Sequence, residues 1–147
     1  MKARVALWGG AFALSVLGAG VGYVGHAVAD TPPVASCEIG DTALVRDVVY
    51  FGRNRPGGGT VSDAEWQSFL DEVVTPRFPA GLTVLSATGQ WRGLSGVVER
   101  ERAEVLTVLH SGERSARKAI AEATAEYKRR FAQEAVLRER TPACARL

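Results

Sequence analysis

Residues 1–29 bound every fold open to the rest of the chain, because they have the order of an export signal. Lys2 and Arg4 are basic, Val5 to Val24 holds no charged residue, and Ala27-Val28-Ala29 supplies small residues just before Asp30. Cleavage after Ala29 is the expectation. It leaves 118 of the 147 residues, enough for one two-layer core and too few for two. Both cysteines, Cys37 and Cys144, then reach an oxidising compartment, periplasmic or secreted. Two other fates are open to such a leader. The apolar run just reaches the roughly 20 residues that span a bilayer, so an uncleaved leader would act as an anchor. Val34-Ala35-Ser36-Cys37 also looks like a lipid-attachment site. The glycines Gly9, Gly10, Gly18, Gly20 and Gly22 favour cleavage over anchoring, and lipid on Cys37 would strand Cys144.

Charge narrows the partners. The chain has 18 Lys and Arg against 16 Asp and Glu, and removing Lys2 and Arg4 with the leader leaves 16 against 16. A neutral mature protein gives no reason to expect nucleic acid, and a membrane is met only through the leader.

Patterning along the mature chain sets an order of elements. Asp30 to Asp41, with Pro32-Pro33, reads as an extended lead-in to a domain over 42–147. Thr42 to Arg53 is β-rich, and Arg55-Pro56-Gly57-Gly58-Gly59 stops that strand. Ser62 and Glu65 form an S-x-x-E capping box, after which Trp66, Phe69, Leu70, Val73 and Val74 make one apolar helical stripe. Pro76 and Pro79-Ala80-Gly81 close the helix. Leu82 to Trp91 is a second strand and Val97 to His110 a third, whose alternation falters at Arg102 to Glu104, where a bulge is expected. A second helix carries Ala116, Ile120, Ala123, Tyr127 and Phe131 on one side, and Glu134 to Arg140 reads as an edge strand.

The order β-α-β-β-α-β predicts an α+β, ferredoxin-like sandwich: a four-stranded antiparallel sheet with two helices on one face. In that topology the last strand returns beside the first. Cys37 precedes the first strand and Cys144 follows the last, so the fold predicts a disulfide between them.

Several segments in order carry a family resemblance. They are Tyr50-Phe51-Gly52-Arg53, Val61-Ser62-x-x-Glu65-Trp66-x-x-Phe69 and Thr75-Pro76-Arg77-Phe78-Pro79-x-Gly81-Leu82-Thr83-Val84, then Gly89-Gln90-Trp91-Arg92-Gly93 and Val105-Leu106-Thr107-Val108. Across roughly 48–144 the chain resembles a bacterial family known as a domain of unknown function, DUF3574. The resemblance implies a small exported protein of this architecture and supplies no reaction, ligand or catalytic residue.

Chemistry has few candidates. After cleavage His110 is the one histidine, too little for a metal site, and as a lone haem ligand it stands poorly at a strand end; neither metal nor cofactor is expected. No histidine is placed to activate Ser86, Ser95 or Ser111, and Gly57-Gly58-Gly59 lacks the Lys-Ser/Thr of a phosphate loop. A polar set remains: Arg53, Arg77, Gln90, Trp91, Arg92, Glu99 and Glu101. Arg and Glu alternating on neighbouring strands can orient a carboxylate ligand, or they can be cross-strand ion pairs on a solvated sheet. Trp91 is either a binding aromatic or a cap on the core. The expected role is a non-catalytic module that uses the open sheet face for a small molecule or a second copy. The alternative is a cofactor-free enzyme on an acidic or carbonyl substrate, with Glu99 or Glu101 as base and Arg53 or Arg92 as electrophile.

Overall fold

A computed structural model describes residues 36–146, Ser95 excepted; the leader read at 1–29 lies outside these residues. The first strand, β1 (Thr42–Gly52), turns Asp47, Val49 and Phe51 inward to full burial. Its exit loop is pinned where Arg55 N–H donates to Gly59 O at 3.0 Å, and Gly57, Gly58 and Gly59 all take positive φ, which side chains resist.

The capping box forms as expected. Ser62 N–H donates to Glu65 Oε2 at 2.9 Å and Glu65 N–H to Ser62 Oγ at 3.2 Å, starting α1 (Asp63–Phe69). Beyond Phe69 the chain widens into a π turn (Leu70–Val74), where Thr75 N–H reaches Leu70 O, and then tightens into a 3₁₀ turn (Thr75–Arg77) that carries Pro76. The stripe keeps its direction through both changes: Trp66, Phe69, Val73 and Val74 are buried and Leu70 packs against them.

Strands β2 (Thr83–Arg92) and β3 (Val98–His110) form a hairpin paired from Thr83↔Thr107 to Arg92↔Val98. The expected bulge near Arg102 to Glu104 is absent, since β3 also pairs with β1 from Val45↔His110 to Gly52↔Ala103 without a break. The apolar alternation falters there because a charged residue occupies an inward position. Glu104 sits in line with Leu106 and Val108, buried like them.

Helix α2 (Arg114–Phe131) buries Ala116, Ile120, Ala123, Tyr127 and Phe131, the expected stripe, and ends where Ala132 turns left-handed at φ 55°. The last strand, β4, runs Leu137–Ala145, later and longer than the expected 134–140. Pro142 is tolerated inside it because β4 is an edge strand, with a partner on one side only.

The sheet order is β2-β3-β1-β4, all antiparallel, with both helices on one face. Between the layers lies an aromatic cluster in which Tyr127 meets Phe51 at 4.7 Å and Phe69 at 5.0 Å, ring centre to ring centre, edge to face. Ala43 pairs with Cys144, and the Cys37–Cys144 disulfide closes the two ends over 107 residues. The cysteine lies within the strand rather than after it.

Candidate functional site

The covered side of the sheet holds two polar clusters, one at each end of its apolar middle. At one end the Arg53 guanidinium is 3% exposed and every nitrogen is used: Nε donates to Val61 O at 2.7 Å, Nη1 to Glu104 Oε1 at 2.6 Å and Nη2 to Asp63 Oδ1 at 2.8 Å. Ser86 Oγ donates to the other Glu104 oxygen at 2.8 Å. Arg53 thereby ties the end of β1, the start of α1 and the middle of β3 together. Its hydrogen bond, helped by the charge of Arg102, holds the Asp63 carboxyl below the usual carboxylate range.

At the other end Asp47 is fully buried. Arg138 donates to it twice, Nε to Oδ1 and Nη2 to Oδ2, each at 2.8 Å. His110 Nε2 lies 2.8 Å from Oδ2, and Gly112 N–H donates to His110 Nδ1 at 2.9 Å. A nitrogen that accepts carries no proton, so the ring proton is on Nε2 and points at Asp47. Burial pushes the Asp47 carboxyl up, but the bonds from Arg138 and His110 outweigh it and hold it below the usual carboxylate range.

The open side is built differently. At the end of the hairpin a cleft of about 440 Å³ is walled by Tyr50, Trp91, Ala103, Val136 and Leu137, with Gly52 and Gly89 in its floor. Gln90 and Gln133 line it too, and Glu101 is the one charged residue among its lining. Gly52 makes room for that carboxylate: a Cβ there would lie 2.6 Å from both Glu101 oxygens. Asn54 N–H donates to Glu101 Oε2 at 3.0 Å, while from below the sheet Tyr127 Oη donates to Gly52 O at 2.8 Å. The left-handed turn at Ala132 brings Gln133 to the rim, where its amide donates to Asn54 O at 2.6 Å. Tyr50 donates to Glu139 Oε1 at 3.2 Å; burial, with Glu139 behind it, pushes its hydroxyl pKa up.

The predicted polar set therefore divides. Gln90, Trp91 and Glu101 meet in the open-side cleft, and Glu99 stands opposite Trp91 in register, lining a smaller hollow with Trp91 and Glu101. Trp91 is 37% exposed and is a wall of the cleft, apart from the core cluster. Arg53 is committed to the covered side. A second cleft, about 570 Å³, is bordered by Arg53, Thr88, Gln90, Arg100, Glu101 and Arg102, so Gln90 and Glu101 line both clefts. Arg92 folds back to donate to Gly96 O across its own turn. Arg77 sits at the far end of the helical layer, donating to Val73 O at 2.6 Å and facing Glu122 at 3.6 Å. None of the three predicted arginines lines the open-side cleft, while Arg53 shares the second one with Glu101.

Tyr50, Gly52, Gly89 and Gln133 lie outside the predicted polar set. A signal for two of them was present, because a lone glycine inside a strand marks a place where something approaches the backbone closely. What the cleft can do is hold a ligand: one carboxylate, two aromatic walls and amides, with no cation to polarise a carbonyl. Among the described residues no group of three or more His, Cys, Asp or Glu gathers to hold a metal ion.

In structure the chain is similar to a phage SAM lyase in complex with S-methyl-5'-thioadenosine, with a TM-score of 0.56 and 11% identity over 71% of this chain and 90% of that one. The same lyase in its apo state gives 0.50 at 11% identity, over 71% and 90%. CutA from Synechococcus elongatus PCC7942, complexed with Bis-Tris, gives 0.46 at 9% identity, over 71% of this chain and 86% of that chain. The lyase likeness, at such identity, shows a shared fold. No curated protein matches the chain. A family model does match residues 46–147, and the chain belongs to that family, described as a protein of unknown function (DUF3574).

Proposed function

We propose that this protein is an exported, non-catalytic binding module that holds a small organic cation with a flat apolar body in the open-side cleft. The observation that carries this reading is the half-buried Glu101 carboxylate over Gly52, the one charge lining a cleft walled by Tyr50 and Trp91. A carboxylate beside aromatic faces is the arrangement that favours an ammonium or sulfonium group, since ring faces carry negative potential. Export draws support from the Cys37–Cys144 disulfide, which suits an oxidising compartment. Among the described residues no helix is long and apolar enough to cross a membrane. The enzymatic alternative pairs Arg53 with Glu101, and both line the second cleft, but the Arg53 guanidinium is spent on Val61, Glu104 and Asp63, and Arg92 donates to Gly96 O.

The test is calorimetric titration of the disulfide-bonded protein with 2-phenylethylammonium and, separately, with 3-phenylpropionate. The cation should bind and the anion should not. Glu101→Gln should weaken the cation by about tenfold or more, the usual worth of a hydrogen bond to a charged group. S-adenosylmethionine, a sulfonium, makes a second probe against S-methyl-5'-thioadenosine, the neutral thioether held by the phage lyase. Preference for the anion, or indifference to Glu101→Gln, would sink the reading.

A further inference from the structure

The uncovered face of the sheet carries a row of large side chains across all four strands. Leu85 pairs with Val105, Val105 with Tyr50, and Tyr50 with Leu137, so the four stand side by side. Leu85 is 62% exposed and Leu137 60%; on the Arg46 side the belt ends at the row Thr83, Thr107, Val48 and Glu139, and Leu109 lies past it beside Arg46. The next row is small, Ala87, Ala103 and Gly52, which lets another surface approach closely. An apolar belt of this width on an exported protein marks a contact surface.

Charge selects the contact. Arg46 lies four residues before Tyr50 along β1, and Glu101 four residues before Val105 along the antiparallel β3. The two charges therefore sit on opposite sides of the belt, each about 14 Å away at 3.4 Å per residue. Glu99 lies beyond Glu101 on the same side. Turning a second copy end for end about the belt brings the partner's Arg46 over the acidic end, within about one strand spacing of Glu101. The other two-fold stacking would bring Glu99 and Glu101 of both copies together, like charge on like. The contact is thus self-complementary in one orientation only.

We infer that a second copy of this chain covers the open face, sheet against sheet, with the two sets of strands running head to tail about the Leu85–Val105–Tyr50–Leu137 row. Four strands spaced by about 4.8 Å and eight residues deep give on the order of 500 Å² a side, or about 1,000 Å² in all. That is the lower end for a specific complex, so the dimer is reversible rather than obligate. The partner's Arg46 and an organic cation would compete for Glu101, so ligand weakens the dimer.

Sedimentation velocity on the disulfide-bonded protein, without ligand and over a range of concentrations, tests the inference. Mass should rise from monomer to dimer with concentration. Val105→Lys on the central strand, which would meet its own copy across the row, and Arg46→Glu should each weaken the dimer by tenfold or more while leaving cooperative urea unfolding intact. Arg46→Glu combined with Glu101→Arg should restore it. A monomer up to several hundred micromolar would overturn the inference, as would a dimer indifferent to Val105→Lys, which would point to pairing along the β2 edge. The cation reading fails or stands separately, because it can be measured on the Val105→Lys monomer.

Discussion

Under the helices the sheet buries Asp47, Arg53 and Glu104 almost completely, whereas on its open side Leu85 and Leu137 are 62% and 60% exposed. Each side carries what a simple inside-outside rule would put on the other. The difference lies in partners. Every inward charge has hydrogen bonds that replace water, and the Arg53 fork alone accounts for three. Among the described residues nothing covers the outward leucines. Groups whose interactions are complete hold the fold, and groups left with unmet surface are where a ligand or a partner acts.

The comparison can be broken most severely through the aromatic cluster. Phe69 is fully buried and meets Phe51, Trp66, Tyr127 and Phe131. Phe69→Ala should cost about 3–5 kcal/mol and lose cooperative unfolding, whereas Trp91→Ala on the open side should shift the urea midpoint little. Next comes the disulfide, which serves both faces alike. Replacing Cys37 and Cys144 by serine should cost about 2–5 kcal/mol, read in the same urea experiment.

A smaller effect should follow pH. Arg138 and His110 hold the Asp47 carboxyl below the usual carboxylate range in the folded protein, so its contribution is present above the unfolded pKa and is lost as pH falls through the folded one. The fall in urea midpoint between about pH 5 and pH 2 should be shallower in Asp47→Asn than in the parent. Equal slopes would mean that Asp47 contributes nothing through its charge. The smallest expected change in stability sharpens the other side of the comparison. Gly52→Ala adds a Cβ at 2.6 Å from the Glu101 oxygens, the far end of a flexible side chain that can swing away. It should leave unfolding nearly unchanged and weaken cation binding, since it moves the carboxylate off its place.

Much of the fold was legible because helical stripes and strand alternation report directly which side is buried. The stripe from Trp66 to Val74 and the one from Ala116 to Phe131 both point inward as their spacing predicts. Alternation misleads where a charge points inward: Glu104 looked like a break in β3 because its partner, Arg53, is 51 residues away. β4 runs past the expected Arg140 to Ala145 and through Pro142, because an edge strand needs no ladder bond from every N–H. The cleft was legible in part. Gln90, Trp91 and Glu101 are close in sequence across one hairpin, whereas Tyr50, Gly52 and Gln133 join them only through register and the turn after α2. Whether an arginine on a strand serves a ligand or a carboxylate depends on which face it takes. That is fixed by packing the helices and not by local pattern.

The contrast between the two faces is tested most directly by urea unfolding of Arg53→Met beside Leu85→Lys. Arg53→Met leaves Glu104 buried with its main charge partner gone, which should cost about 3–5 kcal/mol, and adding Glu104→Leu should recover much of it. Leu85→Lys places a charge on a residue already 62% exposed, and under dilute, monomeric conditions its midpoint should match the parent. If Arg53→Met unfolds like the parent while Leu85→Lys is destabilised, the inward charges do not hold this fold and the open face is not spare surface.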